Sequence, residues 1–369
     1  MAAADSLQTI TRLTPLADVL ALIDKQVQPV APRRIALDEA GQATLAEDVI
    51  APTRPAAPLA LIDGWALNAD LTRDAGGYAP APLPQLPVRV EVGEPMPVGT
   101  DCVAPLDTVQ VTQARAEALA AINAGDGVLP AGGDCDGATP LRRTGERLHP
   151  LDLAALACAG VTEVSVRMPR LRLVPVRADP ILISVARLIA SDAARCGGAP
   201  HEVNGELSAV LADQETDCVI AIGGTGSGRN DTSVQTLARI GRVAVHGVAL
   251  APGETAAFGF AGGKPVLLLA GRLDAALAVW LVIGRPLLQR LAGGAESEPS
   301  ETLALSRKVA STIGLAEVVP LRRNGDKAEP LASKYLSLSA LAHSDGWLLV
   351  PADSEGYSAG SPVPLRPWP

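Results

Sequence analysis

The chain has 369 residues, more than one ordinary core accommodates, so about two to four compact units are expected. Its net charge of −9 gives no global basic footprint for nucleic acid or an anionic membrane surface, so an anionic ligand must be met locally. Apolar residues make up 48% but aromatics only 2%, and 31 prolines and 35 glycines punctuate the length, which implies short elements and many turns rather than disorder.

Taken in chain order, "TPLADVLALIDKQV" from Thr14 to Val27 predicts an amphipathic helix with Thr14 as cap, Pro15 at the first helical position and Leu16, Val19, Leu20, Ile23 and Val27 on one face. A short "ALDEA" helix and a strand-like "LAEDVIAP" follow. Between Asp63 and Thr112 no helical period appears, and "LPVRVEV" (86–92) and 101–112 read as strands, giving an inserted β-rich lobe. A short helix, Leu151 to Cys158, then precedes a strand, Val161 to Val166.

From Pro169 strand and helix alternate. "LRLVPV", "DCVIAI" and "RVAVHGV" read as strands; "ILISVARLIASDAARCGG", "GELSAVLADQ" and "DTSVQTLARIG" read as helices, the last capped by Asp231. Two further strands, "TAAFGF" and "KPVLLLA", flank a Gly262-Gly263 turn, and a long helix runs from Leu273 to Leu291. This alternation predicts a mostly parallel, doubly wound α/β sheet with helices on both faces, in which ligands sit at the carboxyl ends of strands. After the Glu/Ser-rich linker 295–301, residues up to 369 read as a small β-barrel-like unit.

Five cysteines (Cys102, Cys135, Cys158, Cys196 and Cys218) are scattered without a paired spacing, which argues against a zinc knuckle or disulfide framework and fits a reducing cytoplasm. The N-terminal "MAAADSLQTITRL" lacks a basic start and apolar core, and no uninterrupted apolar run reaches the roughly 18 residues of a membrane span. A cytoplasmic location is expected.

The densest chemical signal is "AIGGTGSGRND", residues 221–231, four glycines in six positions after an apolar run. Such turns let backbone N–H groups close on an anion where a Cβ would block the approach. The loop is not a dinucleotide fingerprint, because the following strand ends without a ribose-binding acid, and no Gly-Lys-Ser/Thr closes a P-loop. An anion cradle beside Asp231 remains, where the acid either meets a bound Mg²⁺ or caps the next helix.

Asp63 in "LIDGWAL" is a lone acid in an apolar run, expected to have a partner or a function unless it serves as a turn residue before Gly64. Asp134 and Asp136 in "GGDCDG" suit either a divalent cation or an Asx turn. His149, His201, His246 and His343 show no metal-ligand spacing, and neither a GxSxG nor an HExxH motif is present.

The ordered series of motifs resembles the molybdopterin molybdenumtransferase family, which includes the gephyrin E domain. "LIDGWA" is similar to the family's Ala-Met-Asp-Gly-Tyr-Ala, "GGDCDGATPLRRTGERL" to its Gly-Glu-Asp and Pro-Ala-Gly-x-x-Leu, and "IGGTGSGRND" to its Ser-Gly-Gly-Val-Ser-x-Gly-x-x-Asp. The resemblance implies insertion of molybdate into adenylylated molybdopterin by a homodimer, with Asp63, Asp134 and Asp231 as catalytic acids that hold Mg²⁺. It implies that Gly223, Gly224, Thr225, Gly226, Ser227, Gly228 and Arg229 bind the phosphate end of the pterin. Pro252 and Gly253 of "HGVALAPGETAAFG" and Gly271 and Arg272 of "AGRLDA" would complete that site.

On this reading a linking domain comprises 28–50 and 139–168, the inserted β-rich domain 51–138, the Rossmann-like molybdopterin-binding domain 1–27 and 169–295, and the C-terminal β domain 296–369. Other proteins of molybdenum cofactor synthesis are further expected partners, nucleic acid and membrane are not. Several positions depart from the family. Ala251 and Glu254 replace two lysines, and "LVPVRADP" lacks the Ser-Thr-Gly-Asp-Glu-Leu that follows the corresponding strand. Arg272 and Arg229 are expected to offset the lost lysines. The competing expectation is a catalytically impaired paralogue that binds pterin or nucleotide as a carrier or assembly protein.

Overall fold

The computed structural model describes residues 8–294 and 299–369, so the first part of the expected linker, 295–298, lies outside the described residues. The chain divides into two compact units: residues 1–47, 144–149 and 164–369 form the first, and residues 48–143 and 150–163 the second.

The first unit is built on a six-stranded sheet. Its spatial order is Ala199–Glu202, Arg170–Pro175, Cys218–Ile222, Lys264–Leu269, Ala257–Ala261 and Arg242–His246. The first four strands are mutually parallel and the Ala257–Ala261 strand is antiparallel to both neighbours. Strand residues alternate between two cores, as a period of two demands. Cys218, Ile220 and Ile222 face a large core with helices Leu16–Gln26, Pro180–Arg195 and the 273–292 helix, while Val219 and Ala221 face a smaller one with helices Leu207–Ala212 and Ser233–Ile240. Each fully buried aliphatic side chain here contributes about 1.5–3 kcal/mol. The expected doubly wound arrangement is present.

Two expectations fail at the sheet's margin for the same reason. Thr14 is not a helix cap: Thr14–Pro15 pairs in parallel with Val248–Ala249, Thr14 N donates to Gly247 O at 2.9 Å, and the helix begins at Leu16. "RVAVHGV" is likewise not one strand. At Gly247, with φ +93, the chain leaves the six-stranded sheet, and Val248–Ala251 joins a different, seven-stranded one. A Cβ at Gly247 would stand 2.6 Å from Ile10 Cγ2, so only glycine allows this crossing. Of "LAEDVIAP" only Leu45 lies in a strand, Thr44–Leu45.

The rest of the seven-stranded sheet includes a closed barrel of Glu301–Leu305, Ala316–Asn324, Lys327–Pro330, Gly346–Val350 and Pro362–Pro367. Leu303, Val319, Leu321, Leu348, Val350 and Val363 fill it.

Residues 273–292 form one continuous helix with a π-helical turn at Trp280–Gly284. The wide turn and the missing side chain at Gly284 make room for the Trp280 indole, since a Cβ there would lie 2.2 Å from Trp280 Cε3. By length and composition this helix is apolar enough to cross a membrane, but 78% of that stretch is buried in the fold. Trp280 Nε1 donates to Asp192 Oδ2 at 2.7 Å, and Arg285 donates to both Asp192 oxygens at 2.7 and 2.9 Å.

The second unit is assembled from small sheets. Gly64–Leu67 lies between Val88–Val90 and Cys102–Pro105, and Ala116–Ala118 lies between Ala81–Leu83 and Val109–Val111. Leu67, Cys102, Ala104 and Val109 form one of its cores, Ala60, Ala66, Val90 and Val103 another. The five cysteines are free, and burial raises the Cys102 thiol to about 12, which leaves it protonated and unreactive.

Burial by itself would raise the Asp192 carboxyl, but Arg285, Trp280 and Arg195 outweigh it and hold the group below its ordinary value. Its contribution to stability is therefore present above the unfolded value of about 3.9 and lost as pH falls through the lower folded value. Asp192→Asn should cost about 3–5 kcal/mol in denaturant unfolding at neutral pH, because the fully buried carboxylate that accepts from Arg285, Trp280 and Arg195 loses its charge and one of its acceptor oxygens. The gap to the parent should narrow below about pH 3.9.

Candidate functional site

The apolar strand Cys218–Ile222 is buried along its whole length and delivers the chain to two glycines in left-handed conformation, Gly223 (φ +99) and Gly224 (φ +74). Gly223 N donates to Leu269 O at 2.8 Å, which continues the sheet by one rung, and Ser233 Oγ donates to Gly223 O at 2.8 Å. A Cβ on Gly224 would meet Ser233 Oγ at 2.4 Å. From the other side Gln8 Nε2 donates to Gly224 O at 2.7 Å. The turn is thus fixed by sterics and by hydrogen bonds to its carbonyls.

Beyond it the loop presents its amides. Among the described residues the N–H groups of Gly224, Thr225, Gly226 and Ser227 donate to no protein acceptor. Thr225 is buried and shares a hydrogen bond with Thr255, Oγ1 to Oγ1, at 3.0 Å, while its carbonyl lies 3.1 Å from His246 Nε2. Asp231 does not cap the following helix, whose N-cap is Thr232 without a side-chain bond. Instead Asp231 Oδ2 accepts from Gly228 N at 3.1 Å, and Cβ atoms on Gly226 or Gly228 would stand 2.8 and 2.9 Å from that oxygen. The loop's glycines make room for its own carboxylate.

A cleft of about 310 Å³ opens here, lined by Arg177, Gly224, Thr225, Gly226, Asp231, Gly253, Glu254, Thr255, Ala270, Gly271, Arg272 and Ala275. It lies where strand order reverses. The Arg170–Pro175 strand is followed in the chain by its neighbour on one side, Ala199–Glu202, and later by its neighbour on the other, Cys218–Ile222. That switch point is where open α/β sheets bind ligands.

A family model described as "MoeA N-terminal region (domain I and II)" matches residues 14–160, one described as "Probable molybdopterin binding domain" matches 180–290, and one described as "MoeA C-terminal region (domain IV)" matches 302–368. The chain belongs to the MoeA family of molybdopterin molybdenumtransferases. It is 27% identical over 317 residues to molybdopterin molybdenumtransferase 1 of Mycobacterium tuberculosis, covering 76% of this chain and 74% of the relative. A molybdopterin biosynthesis protein of Methanocaldococcus jannaschii is 33% identical over 151 residues, a match spanning 40% of this chain and 36% of that relative. The MoeA protein of Pyrococcus horikoshii shares the fold, with a TM-score of 0.76 at 22% identity over 96% of this chain and 99% of that one.

Of the residues that the MoeA resemblance implied for the pterin, Gly224, Thr225, Gly226, Gly253, Gly271 and Arg272 line the cleft together with Asp231. Gly223 is buried behind it, Pro252 does not line it, and Ser227, Gly228 and Arg229 are exposed on the outer loop. Arg272 reaches the cleft but is not a free cation. Its Nε and Nη2 donate to Asp274 Oδ1 and Oδ2 at 3.0 and 2.8 Å, and its guanidinium sits 5.2 Å from the Tyr335 ring centroid. Asp274 is 4% exposed and raises the already high Arg272 pKa, so the arginine is committed to that partner.

The acids of the second unit differ from their expected settings. Asp63 is exposed rather than buried, because it lies at the edge of the Gly64–Leu67 strand, and its Oδ1 accepts from Val92 N at 2.9 Å. Gly64 follows because a Cβ would lie 2.3 Å from Ala104 O. Asp134 is exposed as well. Its neighbour Asp136 takes the Asx-turn alternative, accepting from Ala138 N and Thr139 N at 2.8 and 2.7 Å and from Thr139 Oγ1 at 2.7 Å, which lowers it to about 2. Asp63 and Asp134 thus belong to the second unit and Asp231 to the first. Among the described residues no three His, Cys, Asp or Glu side chains form a metal-holding group.

Sequence reasoning missed Arg177 and Thr255 as cleft residues. The only signal for Arg177 was its place just past the carboxyl end of the first strand of the α/β sheet.

The Gly224 turn gives a direct test. Gly224→Ala should cost about 1–3 kcal/mol in denaturant unfolding, the range for a residue forced into the left-handed region, with the clash at Ser233 Oγ adding to it. Unchanged stability would contradict the sterically fixed turn.

Proposed function

We propose that this protein inserts molybdate into adenylylated molybdopterin, with the phosphate end of the pterin in the cleft beside the Gly224–Ser227 loop. The supporting observation is the run of four N–H groups, Gly224 to Ser227, that donate to no acceptor among the described residues at the carboxyl end of a buried strand, which offers a phosphate several hydrogen bonds at once. Relatives named as molybdenumtransferases support the same reading, and the impaired carrier is not favoured.

Catalysis in such a site is positioning and electrostatics. The backbone amides hold the phosphate and Asp231, half-buried, lines the same cleft, while Asp63 and Asp134, exposed acids of the second unit, are the further proposed catalytic acids. Carboxylate and phosphate oxygens are the hard ligands that Mg²⁺ takes, and Asp231, which lines the cleft beside the loop amides, is the acid that would hold it there together with substrate oxygens. When bound, Mg²⁺ would neutralise charge on the attacked phosphate. A homodimer and exchange of the pterin with other proteins of molybdenum cofactor synthesis belong to the same reading.

Asp63→Asn tests it. The amide oxygen can still accept from Val92 N, so the variant should fold as the parent does while losing the negative charge. Molybdenum transfer to adenylylated molybdopterin, followed as metal bound to the recovered pterin, should fall by about two orders of magnitude, the scale for removing one well-placed electrostatic group. Equal transfer by parent and variant would remove Asp63 from the catalytic acids, and absence of transfer by the parent would overturn the enzyme reading.

A further inference from the structure

Four charged side chains line the cleft: Arg177, Asp231, Glu254 and Arg272. Three are already engaged. Asp231 Oδ2 accepts from Gly228 N at 3.1 Å, Glu254 Oε2 accepts from Gly253 N at 3.0 Å, and Arg272 is forked onto the buried Asp274. Arg177 is exposed, and among the described residues its side chain has no hydrogen bond or ion pair.

Its backbone, by contrast, is fixed on both sides. Val176 N donates to Ile222 O at 3.1 Å, which ties the end of the first strand to the strand that feeds the glycine turn. A Cβ on Gly223 would lie 3.1 Å from Val176 Cγ2, so the two strand ends are in close contact. Asp179 N donates to Arg177 O at 2.8 Å, and Asp179 Oδ1 caps the next helix through Ile181 N at 2.7 Å. Arg177 therefore emerges from a rigid corner beside the loop amides.

The charge balance of the cleft makes that position matter. With Arg272 neutralised by Asp274, the carboxylates of Asp231 and Glu254 would oppose any anion, and the amides alone would have to overcome them. One uncommitted guanidinium offsets one of these two negative charges, and its planar fork suits two phosphate oxygens.

We propose that Arg177 grips the phosphate end of the substrate, pairing with the oxygens that the Gly224–Ser227 amides do not take. The assignment rests on the reading of this cleft as the pterin phosphate site.

Calorimetric titration of the full chain with adenylylated molybdopterin, and separately with inorganic pyrophosphate, tests it. Arg177→Ala should weaken both by about tenfold or more, as for loss of a hydrogen bond to a charged group. Arg177→Lys should recover part of the loss, because charge remains and the fork does not. Glu254→Lys in the Arg177→Ala background should restore affinity by returning a cation to the lining of the same cleft. Both single variants should unfold at the parent's temperature, since the exposed side chain makes no hydrogen bond or ion pair among the described residues. Parent binding with unchanged affinity in Arg177→Ala would overturn the assignment and leave the pterin site standing. A parent that binds neither probe would overturn both.

Discussion

Asp192 is fully buried and accepts hydrogen bonds from Arg195 on its own helix and from Trp280 and Arg285 on the long 273–292 helix. A carboxylate in that position is tolerable only because two guanidinium groups and an indole N–H saturate it. Directional bonds of this kind fix the rotation and sliding of one helix against the other, which apolar packing of Ile189, Val279 and Ile283 alone would leave looser. Both helices start at the cleft, one just after Arg177 through the Asp179 cap and the other at Arg272. The ion pair, from the last turn of one helix to the middle of the other, thereby holds two walls of the cleft in register.

Between those walls the chemistry comes from backbone more than from side chains. A fully apolar strand, two left-handed glycines and a serine that seals their carbonyls leave a series of amides that donate to no acceptor among the described residues. Asp231 folds back onto the same loop and takes Gly228 N, so the loop holds its own acid near the position an anion would occupy. An oxyanion and a carboxylate repel each other unless a cation stands between them, which gives both Arg177 and a divalent ion a physical reason to be there.

Much of this architecture was legible in the sequence. The 273–292 helix, the hairpin around Gly262-Gly263 and the alternation of strand and helix followed from apolar periodicity and from glycine, which mark local structure whatever the tertiary context. Pairings between distant segments were not legible. Thr14 looked like a cap because its neighbours are helical, yet a strand more than two hundred residues away claimed its backbone. The site divided in the same way. The glycine loop announced itself by composition, whereas the commitment of Arg272 depends on Asp274 and on Tyr335, which is brought in from the C-terminal barrel side of the unit. Arg177 belongs to no motif, and only the adjacency of its strand to Cys218–Ile222 sets it beside the loop.

The most direct measurement is a crystal structure of the protein with adenylylated molybdopterin. Phosphate oxygens should lie within hydrogen-bonding distance of the Gly224–Ser227 amides, with the Arg177 guanidinium turned onto them and Arg272 still forked on Asp274. Phosphate held elsewhere, with this cleft filled only by solvent, would contradict it.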